Sequence, residues 1–294
     1  MTPLWQRRPV GLVGLGLIGG SLGLDLRRRG AAVRALVHRP ETATRARQRG
    51  LADVVSTDSA VLADCGLVLL ALPLDRLLAP DPALLCALPP DAVASDVGSV
   101  KGPLLEVWEP LLGGRFVAGH PMAGTAAAGV EAGQENLFQG RPWVATPSAR
   151  TDPAALEAVR ALAEALGARW ITCGAGEHDR AVALISHLPV LVSAALLQSA
   201  DRGAAGPLAP LVRALASSGF ADTTRVGGGN PQLGTLMARH NRPALLEALG
   251  EYRRSLERLE ALVREEHWGA LERQLQGCQE LRPSFVDRPA ADGS

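Results

Sequence analysis

The chain has almost no lysine, since Lys101 is the only one and every other basic residue is an arginine. It also has no excess of either charge, because 30 basic and 30 acidic residues give a formal net charge of zero. A protein without a basic field has no general attraction for nucleic acid or an anionic membrane, so we expect neither as a partner. Its 294 residues, 47% of them hydrophobic, are enough for about two globular domains with buried cores.

Signals for disulfides, metal sites and export are missing as well. The four cysteines are scattered without a Cys-x-x-Cys pair, which is typical of reduced thiols, and the six histidines lack the spacing of metal ligands. No cleavable apolar region follows Arg7 and Arg8. The apolar runs look too short, or too interrupted by glycine and proline, to span a bilayer. We therefore expect a soluble, cytoplasmic protein without a metal site.

Short apolar runs alternate with helical stretches over the first 175 residues. A run at 10–13 ends at a glycine, and residues 17–29 have the pattern of a helix. The other strand candidates are 31–37, 67–72, 92–95, 116–118, 143–146 and 169–172, with a second helix over 153–166. Strands that alternate with helices predict a mainly parallel sheet covered on both faces, the Rossmann-type doubly wound α/β fold. We assign residues 1–175 to this dinucleotide-binding domain.

The pattern changes after residue 176. Apolar residues between 178 and 200 recur at helical spacing, namely Ala181, Leu184, Ile185, Leu188, Leu191, Val192 and Ala195. From residue 243 onward, apolar residues alternate in steps of four and three, which is a heptad seam that needs a partner helix. Pro243 suits the first turn of that helix and Asn241 its cap. We predict an all-α substrate and dimerisation domain over residues 176–282 and a flexible tail over 283–294.

Residues 14–19 (GLGLIG) match G-x-G-x-x-G between the first strand candidate and the first helix. The glycines of this motif allow a tight turn, close approach of a pyrophosphate and close packing of helix on strand. The helix N-terminus then offers free N–H groups and a positive dipole to the phosphates. A glycine-rich turn alone is often just a turn, but here strand, helix and second strand follow in order. The sequence predicts cofactor contacts at Gly14, Gly16, Leu17, Ile18 and Gly19.

The end of the second strand candidate bears on the choice of cofactor. An NAD enzyme usually carries an acidic residue there, which accepts the ribose 2′-hydroxyl. This chain has His38 and Arg39 instead, and the first acid is Glu41. A guanidinium can bind a 2′-phosphate in bidentate fashion, although a solvated surface arginine would look the same in sequence. The missing acid favours NADP.

Residues 96–101 (DVGSVK) follow the strand candidate at 92–95, at the end of a strand where doubly wound sheets bind ligands. Ser99 could bond a substrate hydroxyl, and Lys101 could hold a carboxylate or orient the loop. The alternative, that Asp96 or Ser99 caps a helix and Lys101 is solvated, fits the spacing equally well.

Residues 119–125 (GHPMAGT) set His120 in a short segment with a glycine on each side. The slim backbone lets a substrate approach closely, and a histidine supplies a proton-transfer group near neutral pH. Many His-Pro pairs simply end a strand. The dinucleotide motif upstream is therefore what supports a functional role for His120.

Together these segments resemble the TyrA family, the prephenate and arogenate dehydrogenases of tyrosine biosynthesis. The resemblance covers nearly the whole chain up to the C-terminal tail. The glycine-rich motif is shared with many dehydrogenases, whereas the later segments in this order are specific. The segments are GLGLIGGS at 14–21, DVGSVK at 96–101, GHPMAGT at 119–125, ISHLP at 185–189 and SSGFADTTR at 217–225.

The resemblance implies an oxidative decarboxylation in which hydride leaves a hydroxyl-bearing ring carbon for the nicotinamide, carbon dioxide departs and the ring becomes aromatic. His120 would take the hydroxyl proton as a neutral base. Ser99 would bridge His120 and the hydroxyl or help to place the nicotinamide. Arg225 would clamp the ring carboxylate from the helical domain.

The resemblance also implies a role for His187. His187 would line the substrate cleft, although a histidine satisfied within the core is an alternative. Thr125 and Lys101 complete the expected substrate contacts, and His38, Arg39 and Pro73 complete the expected cofactor contacts. A homodimer through the helical domain is the expected assembly.

The choice of substrate depends on two departures from the family pattern. Many prephenate-using members carry an acid directly after the Gly-Thr of the histidine motif and a second histidine after Ser-His-Leu-Pro, whereas this chain has Ala126 and Val190. The resemblance therefore favours an NADP-dependent arogenate dehydrogenase. The alternatives are a prephenate or dual-specificity cyclohexadienyl dehydrogenase and, more remotely, a non-catalytic NADP-binding regulatory protein. A dehydrogenase of the 3-hydroxy-acid type would need a lysine in its second domain, and none follows Lys101.

Overall fold

The computed structural model describes residues 2–125 and 127–286 of the chain. Its N-terminal part contains a parallel sheet of six strands, β1 (Val10–Val13), β2 (Val33–Leu36), β3 (Val54–Ser56), β4 (Leu67–Leu70), β5 (Val93–Asp96) and β6 (Phe116–Val117). The strand order is β3-β2-β1-β4-β5-β6. This is the doubly wound, Rossmann-type order, so the predicted fold class is confirmed.

Helices cover both faces of this sheet. Along β1, Leu12 joins the core under one face and Val13 joins the core under the other, because successive strand side chains point to opposite sides. Burial on both faces explains why β1 and β4 are unbroken apolar runs. The helices of this part are α1 (Leu4–Arg7), α2 (Leu17–Arg28), α3 (Pro40–Gln48), α4 (Leu74–Leu78), α5 (Pro82–Ala87), α6 (Gly102–Leu112) and α7 (Pro153–Ala165), with 3₁₀ turns at Ser59–Leu62 and Gly113–Arg115.

A second, three-stranded sheet is the main departure from the predicted organisation. It consists of β7 (Gly119–Pro121), β8 (Pro142–Ala145) and β9 (Arg169–Thr172), with β7 antiparallel to β8 and β8 parallel to β9. The strand candidates at 143–146 and 169–172 exist, but they do not extend the first sheet. The chain leaves that sheet because the Gly119 N–H donates to the Asp96 carboxylate instead of to a neighbouring strand. His120 consequently lies within a short strand.

Residues 175–240 form helices joined by short connections, as predicted. One continuous stretch contains α8 (Ala175–Val182), a π-helical turn (Ala183–His187) and α9 (Leu188–Gly203). The π turn lies directly before Pro189, where a residue without an N–H disturbs the regular helical ladder. The shorter helices are α10 (Leu208–Leu215), α11 (Ser218–Thr224) and α12 (Pro231–His240).

The expectation that no apolar segment could span a bilayer is wrong by length and composition. The stretch Ala175–Gly203 has 29 residues, and its most apolar 18 consecutive residues have a mean hydropathy of 1.9 and are 22% buried. The expectation failed because Pro189 does not end the helix. The same stretch carries the buried polar residues His178, Asp179 and His187.

The chain divides into two compact units, residues 1–242 and 243–294. The second unit contains α13 (Arg242–Arg264) apart from its first residue, together with α14 (Trp268–Leu281) and α15 (Pro283–Val286). The heptad seam lies on α13, whereas the side chain of Asn241 bonds to Asp179 and His187 instead of acting only as a cap. Residues 283–286 of the expected tail are helical, and 287–294 lie outside the described residues. The domain boundary at 175/176 stays a prediction.

Candidate active site

The glycine-rich turn between β1 and α2 has three glycines with three different surroundings. Gly14 has φ of +93°, and a Cβ there would lie 2.5 Å from the carbonyl oxygen of Ala71. A Cβ on Gly19 would lie 2.0 Å from the carbonyl oxygen of Gly14. Around Gly16, in contrast, nothing lies within 4 Å of an added Cβ. The turn is therefore closed where β1 meets β4 and open at the position where a pyrophosphate would approach.

The N-terminus of α2 opens onto the same turn. Gly16 is its N-cap, and no side chain bonds the first N–H groups of the helix. Leu17 and Ile18 are half-buried and pack against the core, so their backbone is fixed while the helix end stays accessible. An anion is the natural ligand of such a terminus. The residues present therefore fit a dinucleotide.

The other expected cofactor residues lie at the carboxyl edge of the same sheet. His38 and Arg39 follow β2, are exposed, and make no side-chain hydrogen bond or ion pair to the residues that the structure describes. Pro73 is exposed at the start of α4, just after β4. All three positions therefore lie at the edge where doubly wound sheets bind ligands.

A fully buried ion pair joins the end of β5 to the start of β7. Lys101 Nζ donates to Asp96 Oδ2 at 2.5 Å and to the carbonyl oxygen of Gly119 at 2.5 Å. The Asp96 carboxylate also accepts the N–H of Gly98 at 2.7 Å and that of Gly119 at 3.0 Å. The backbone immediately before His120 is thus held by hydrogen bonds to both charges.

This geometry corrects the expected role of Lys101. Its side chain is fully buried and its ammonium is bound to Asp96, so it presents no accessible charge to a substrate carboxylate. Burial lowers the pKa of Lys101, and the charge of Asp96 opposes that shift. Its contacts to Asp96 and Gly119 fit the second of the two roles considered from sequence, that of orienting the loop. Ser99 has a buried Oγ without a partner among the described residues, so the expected bond to His120 is not formed here.

His120 belongs to a chain of three hydrogen-bonded side chains. Its Nδ1 lies 2.9 Å from Nε2 of His178. The Nδ1–H of His178 donates to Oδ1 of Asp179 at 2.8 Å. The Asp179 carboxylate further accepts the backbone N–H of Lys101 at 2.7 Å and that of Gly102 at 2.9 Å. The start of α6 thereby fixes the carboxylate at the far end of the chain.

Burial sets the charge state of this chain. It lowers the pKa of His120 well below 6.5, and the positive charge of Lys101 lowers it further. Burial alone would raise the pKa of Asp179, but the hydrogen bonds from His178 and from the two backbone N–H groups hold it below its usual value. Near neutral pH the chain therefore contains a neutral His120 and an ionised Asp179, and His120 is in the state that a general base requires.

His187 lies in the π turn and is buried as well. Its Nδ1 is 3.2 Å from Nδ2 of Asn241, and that amide nitrogen also donates to the carbonyl oxygen of Asp179 at 2.7 Å. The Nε2 of His187 is buried without a partner among the described residues. Burial lowers the pKa of His187 to about 4. His187 is therefore a second neutral imidazole held through Asp179.

The structure does not give the last two expected substrate residues a partner in this site. Arg225 is exposed directly after α11, and its side chain makes no hydrogen bond to the described residues. The segment that follows is anchored, since the Gly227 N–H donates to Ser193 Oγ of α9 at 2.7 Å. Thr125 is exposed, and its hydroxyl accepts the N–H of Ala127 at 3.2 Å. Ala126 lies outside the described residues, and Val190 is half-buried in α9.

Comparison with protein families identifies both parts of the chain. Residues 22–172 match the family described as prephenate dehydrogenase, nucleotide-binding domain, and residues 174–277 match prephenate dehydrogenase, dimerization domain. The chain belongs to the prephenate dehydrogenase family. The predicted resemblance is therefore confirmed, and the glycine-rich turn at residues 14–19 lies directly before the first matched segment.

Two curated members of the prephenate dehydrogenase family illustrate the similarity. Prephenate dehydrogenase of Bacillus subtilis is 30% identical over 262 residues, which are 87% of this chain and 70% of the relative. Cyclohexadienyl dehydrogenase of Zymomonas mobilis is 31% identical over 258 residues, which are 86% of this chain and 88% of the relative.

Solved structures of the family are similar over nearly the whole chain. Arogenate dehydrogenase of Synechocystis is 43% identical with a TM-score of 0.81, over 95% of this chain and all of that one. Prephenate dehydrogenase of A. aeolicus, in complex with hydroxyphenyl propionate and NAD+, is 30% identical with a TM-score of 0.87, over 95% of this chain and 98% of that one.

Sequence reasoning found His120 and His187 in this family member but missed the residues that connect them. His178 entered only as the start of a helical stretch, Asp179 was not considered, and Asn241 was taken for a cap. A signal for the first two exists, because an adjacent His-Asp pair lies in α8, shortly before the π-helical turn that carries His187. Their link to His120 crosses 58 positions, which no local pattern reveals.

The tight contact at Gly19 predicts that Gly19→Ala destabilises the protein even without cofactor. Its Cβ would meet the backbone of Gly14, so the turn must shift, and we expect the free energy of unfolding to fall by about 1–3 kcal/mol. Urea unfolding followed by circular dichroism measures this change.

Gly16→Ala is the matched control for the Gly19 variant. Gly16 has φ of −77°, an ordinary value for alanine, and its Cβ would contact nothing. Its unfolding free energy without cofactor should stay within about 0.5 kcal/mol of wild type. Equal losses in the two variants would contradict the assignment of the close contact to Gly19.

The low pKa of His187 predicts that acid destabilises the fold. The unfolded histidine has a pKa of about 6.5, whereas the folded pKa is about 4. Between these values the unfolded chain binds a proton that the folded chain does not, so stability falls as pH decreases through this window. At pH 5 the loss due to His187 should be on the order of 2 kcal/mol.

Urea unfolding of wild type and His187→Gln at pH 7 and pH 5 tests this prediction. The variant should lose less stability on acidification than wild type does. His267→Gln is the control, because that histidine is exposed and outside the site. An identical pH dependence in wild type and His187→Gln would refute it.

Proposed function

We propose that this chain is an NADP-dependent arogenate dehydrogenase, which converts L-arogenate into L-tyrosine and carbon dioxide. The observation that carries the proposal is the neutral, buried His120 held at the carboxyl edge of a dinucleotide-binding sheet. Family membership supplies the reaction type, and the 43% identity to the Synechocystis arogenate dehydrogenase supports the substrate. Cytoplasmic localisation is part of the proposal.

His120 acts on the ring hydroxyl of the substrate. NADP, when bound, supplies the acceptor for the hydride on the hydroxyl-bearing carbon. Nε2 of His120 takes the hydroxyl proton as the carbon–oxygen bond gains double-bond character. Loss of the ring carboxylate as carbon dioxide then leaves electrons that aromatise the ring, and His120 returns the proton to the phenolic oxygen. The neutral imidazole accepts the first proton, and the imidazolium that forms returns it, so His120 ends the cycle neutral.

The other side chains bind and orient the substrate. The unpartnered Ser99 Oγ and His187 Nε2 are buried polar atoms that a bound substrate could satisfy, which supports their inclusion in the site. Arg225 is proposed as the carboxylate clamp and Thr125 as a further contact. Lys101 is kept as a residue that orients the backbone of β7.

The proposal of NADP depends on the end of β2. His38 and Arg39 are exposed there, and no carboxylate stands where it would repel a 2′-phosphate. The A. aeolicus relative was solved with NAD+, so NAD is the alternative for this chain. Prephenate is the alternative substrate, since two curated relatives that are 30% and 31% identical to this chain are a prephenate dehydrogenase and a cyclohexadienyl dehydrogenase.

A homodimer through the helical domain accounts for the exposed apolar residues of that region. Leu208, Leu211 and Leu215 of α10 are exposed, the last to 71%. An apolar surface of this kind is typical of an interaction site. The match to a family dimerization domain supports a second copy of the chain as its cover.

A four-way assay tests the substrate and the cofactor together. We expect kcat/KM to be at least tenfold higher for arogenate than for prephenate and for NADP than for NAD. Arg39→Ala should reduce the preference for NADP by about tenfold, because it removes a charge-assisted contact to the 2′-phosphate. A clear preference for prephenate or NAD in wild type would refute that part of the proposal.

Removal of the base should separate chemistry from binding. His120→Asn should lower kcat by about 10²–10⁴-fold, since it removes a proton acceptor used in the transition state, while the Kd for NADP stays close to that of wild type. Arg225→Ala is the contrasting variant, which should chiefly raise KM for the substrate. Near-normal kcat in His120→Asn would exclude it as the base.

A further inference from the structure

We infer that Asp179 holds the two buried histidines in opposite tautomers, His120 as an acceptor at Nε2 and His187 as a donor at Nε2. The carboxylate of Asp179 acts through His178, and its backbone carbonyl acts through Asn241. His178 and Asn241 are therefore positioning residues, because His178 acts through His120 and Asn241 acts through His187. The inference deepens the proposed function, in which His120 is the base.

The carboxylate arm follows from which atoms can donate. The ionised Asp179 carboxylate has no proton to donate, so it accepts a hydrogen bond from Nδ1 of His178, as it does from two backbone N–H groups. A neutral His178 therefore has its proton on Nδ1 and a lone pair on Nε2. The hydrogen bond of 2.9 Å between His178 Nε2 and His120 Nδ1 then requires the proton on His120 Nδ1.

This arrangement leaves Nε2 as the only basic nitrogen of His120. His120 retains 9% exposure, and its Nε2 makes no hydrogen bond within the part of the chain that the structure describes. The tautomer matters because a neutral imidazole with its proton on Nε2 would offer the substrate hydroxyl a donor instead of a base. Once His120 takes a second proton, its Nδ1–H bond to His178 becomes charge-assisted.

The carbonyl arm fixes the other histidine. A backbone carbonyl can only accept, so the Asn241 atom 2.7 Å from the Asp179 carbonyl oxygen must be the amide nitrogen. The same nitrogen lies 3.2 Å from His187 Nδ1, which must therefore be unprotonated and accept. Neutral His187 then carries its proton on Nε2, the atom that is buried without a partner. That donor suits an oxygen atom of the substrate.

Nitrogen NMR of the full chain without ligands tests the inference directly. In protein carrying ¹⁵N-labelled histidine at pH 7.5, His120 should have a protonated Nδ1 and an unprotonated Nε2, and His187 the reverse. His120→Gln and His187→Gln assign the signals among the six histidines. A protonated Nε2 on neutral His120, or a protonated Nδ1 on neutral His187, would overturn the inference from the wild-type spectrum alone.

Variants separate the two arms. His178→Leu should remove the Nδ1–H preference of His120 and leave His187 unchanged, whereas Asn241→Leu should do the opposite. His178→Gln should retain the tautomer of His120, because its carboxamide oxygen can still accept from Nδ1–H. His267→Gln should change neither signal. Folded leucine variants that leave both tautomers as in wild type would overturn the inference.

Kinetics connects the tautomer to turnover. His178→Leu should lower kcat by about 10²-fold or more with little change in the KM for NADP, and His178→Gln should recover at least tenfold of that loss. Full activity in His178→Leu would exclude a positioning role. Wild type without activity on arogenate or prephenate would instead refute the proposed function and leave the NMR result unaffected, so the two failures are distinguishable.

Discussion

The buried ion pair between Lys101 and Asp96 is the interaction on which the site depends. Two opposite charges without solvent are tolerated only when close pairing and further hydrogen bonds offset the loss of hydration. Here the carboxylate accepts the N–H groups of Gly98 and Gly119, and the ammonium donates to the Gly119 carbonyl oxygen. The pair therefore ties the loop after the fifth strand to the residue before His120. It turns the chain out of the parallel sheet and fixes the position of the histidine.

The same burial that requires this pairing also controls the histidines. Burial and the nearby charge of Lys101 lower the pKa of His120, which keeps it unprotonated but also weakens it as a base. Asp179 offsets this weakness, because its ionised carboxylate lies at the far end of the hydrogen-bonded chain through His178. In the proposed mechanism, a positive charge on His120 is opposed by Lys101 and stabilised through Asp179. The site combines an accessible lone pair with support for the protonated state.

Sequence patterns predicted the parts of this arrangement that are local. The glycines at residues 14–19 have a fixed spacing between a strand and a helix, so the sequence predicted the turn there. The strand at 119–121 was missed because it has only three residues, includes a proline and pairs with a distant strand. The role of Lys101 was left open because sequence gives no measure of depth. Asp179 and its partners were missed because hydrogen bonds between distant segments leave no periodic signal.

The helical stretch Ala175–Gly203 is apolar enough to resemble a membrane helix, and yet it carries polar groups of the site. Its buried side holds His178, Asp179 and His187, each hydrogen-bonded to other described residues of the same unit. Its exposed side holds apolar residues such as Leu184 and Ile185. A lipid environment would not explain why the polar side chains are bonded to the loops of a nucleotide-binding fold. The hydrogen bonds to these loops instead place the polar side of the helix in the proposed active site.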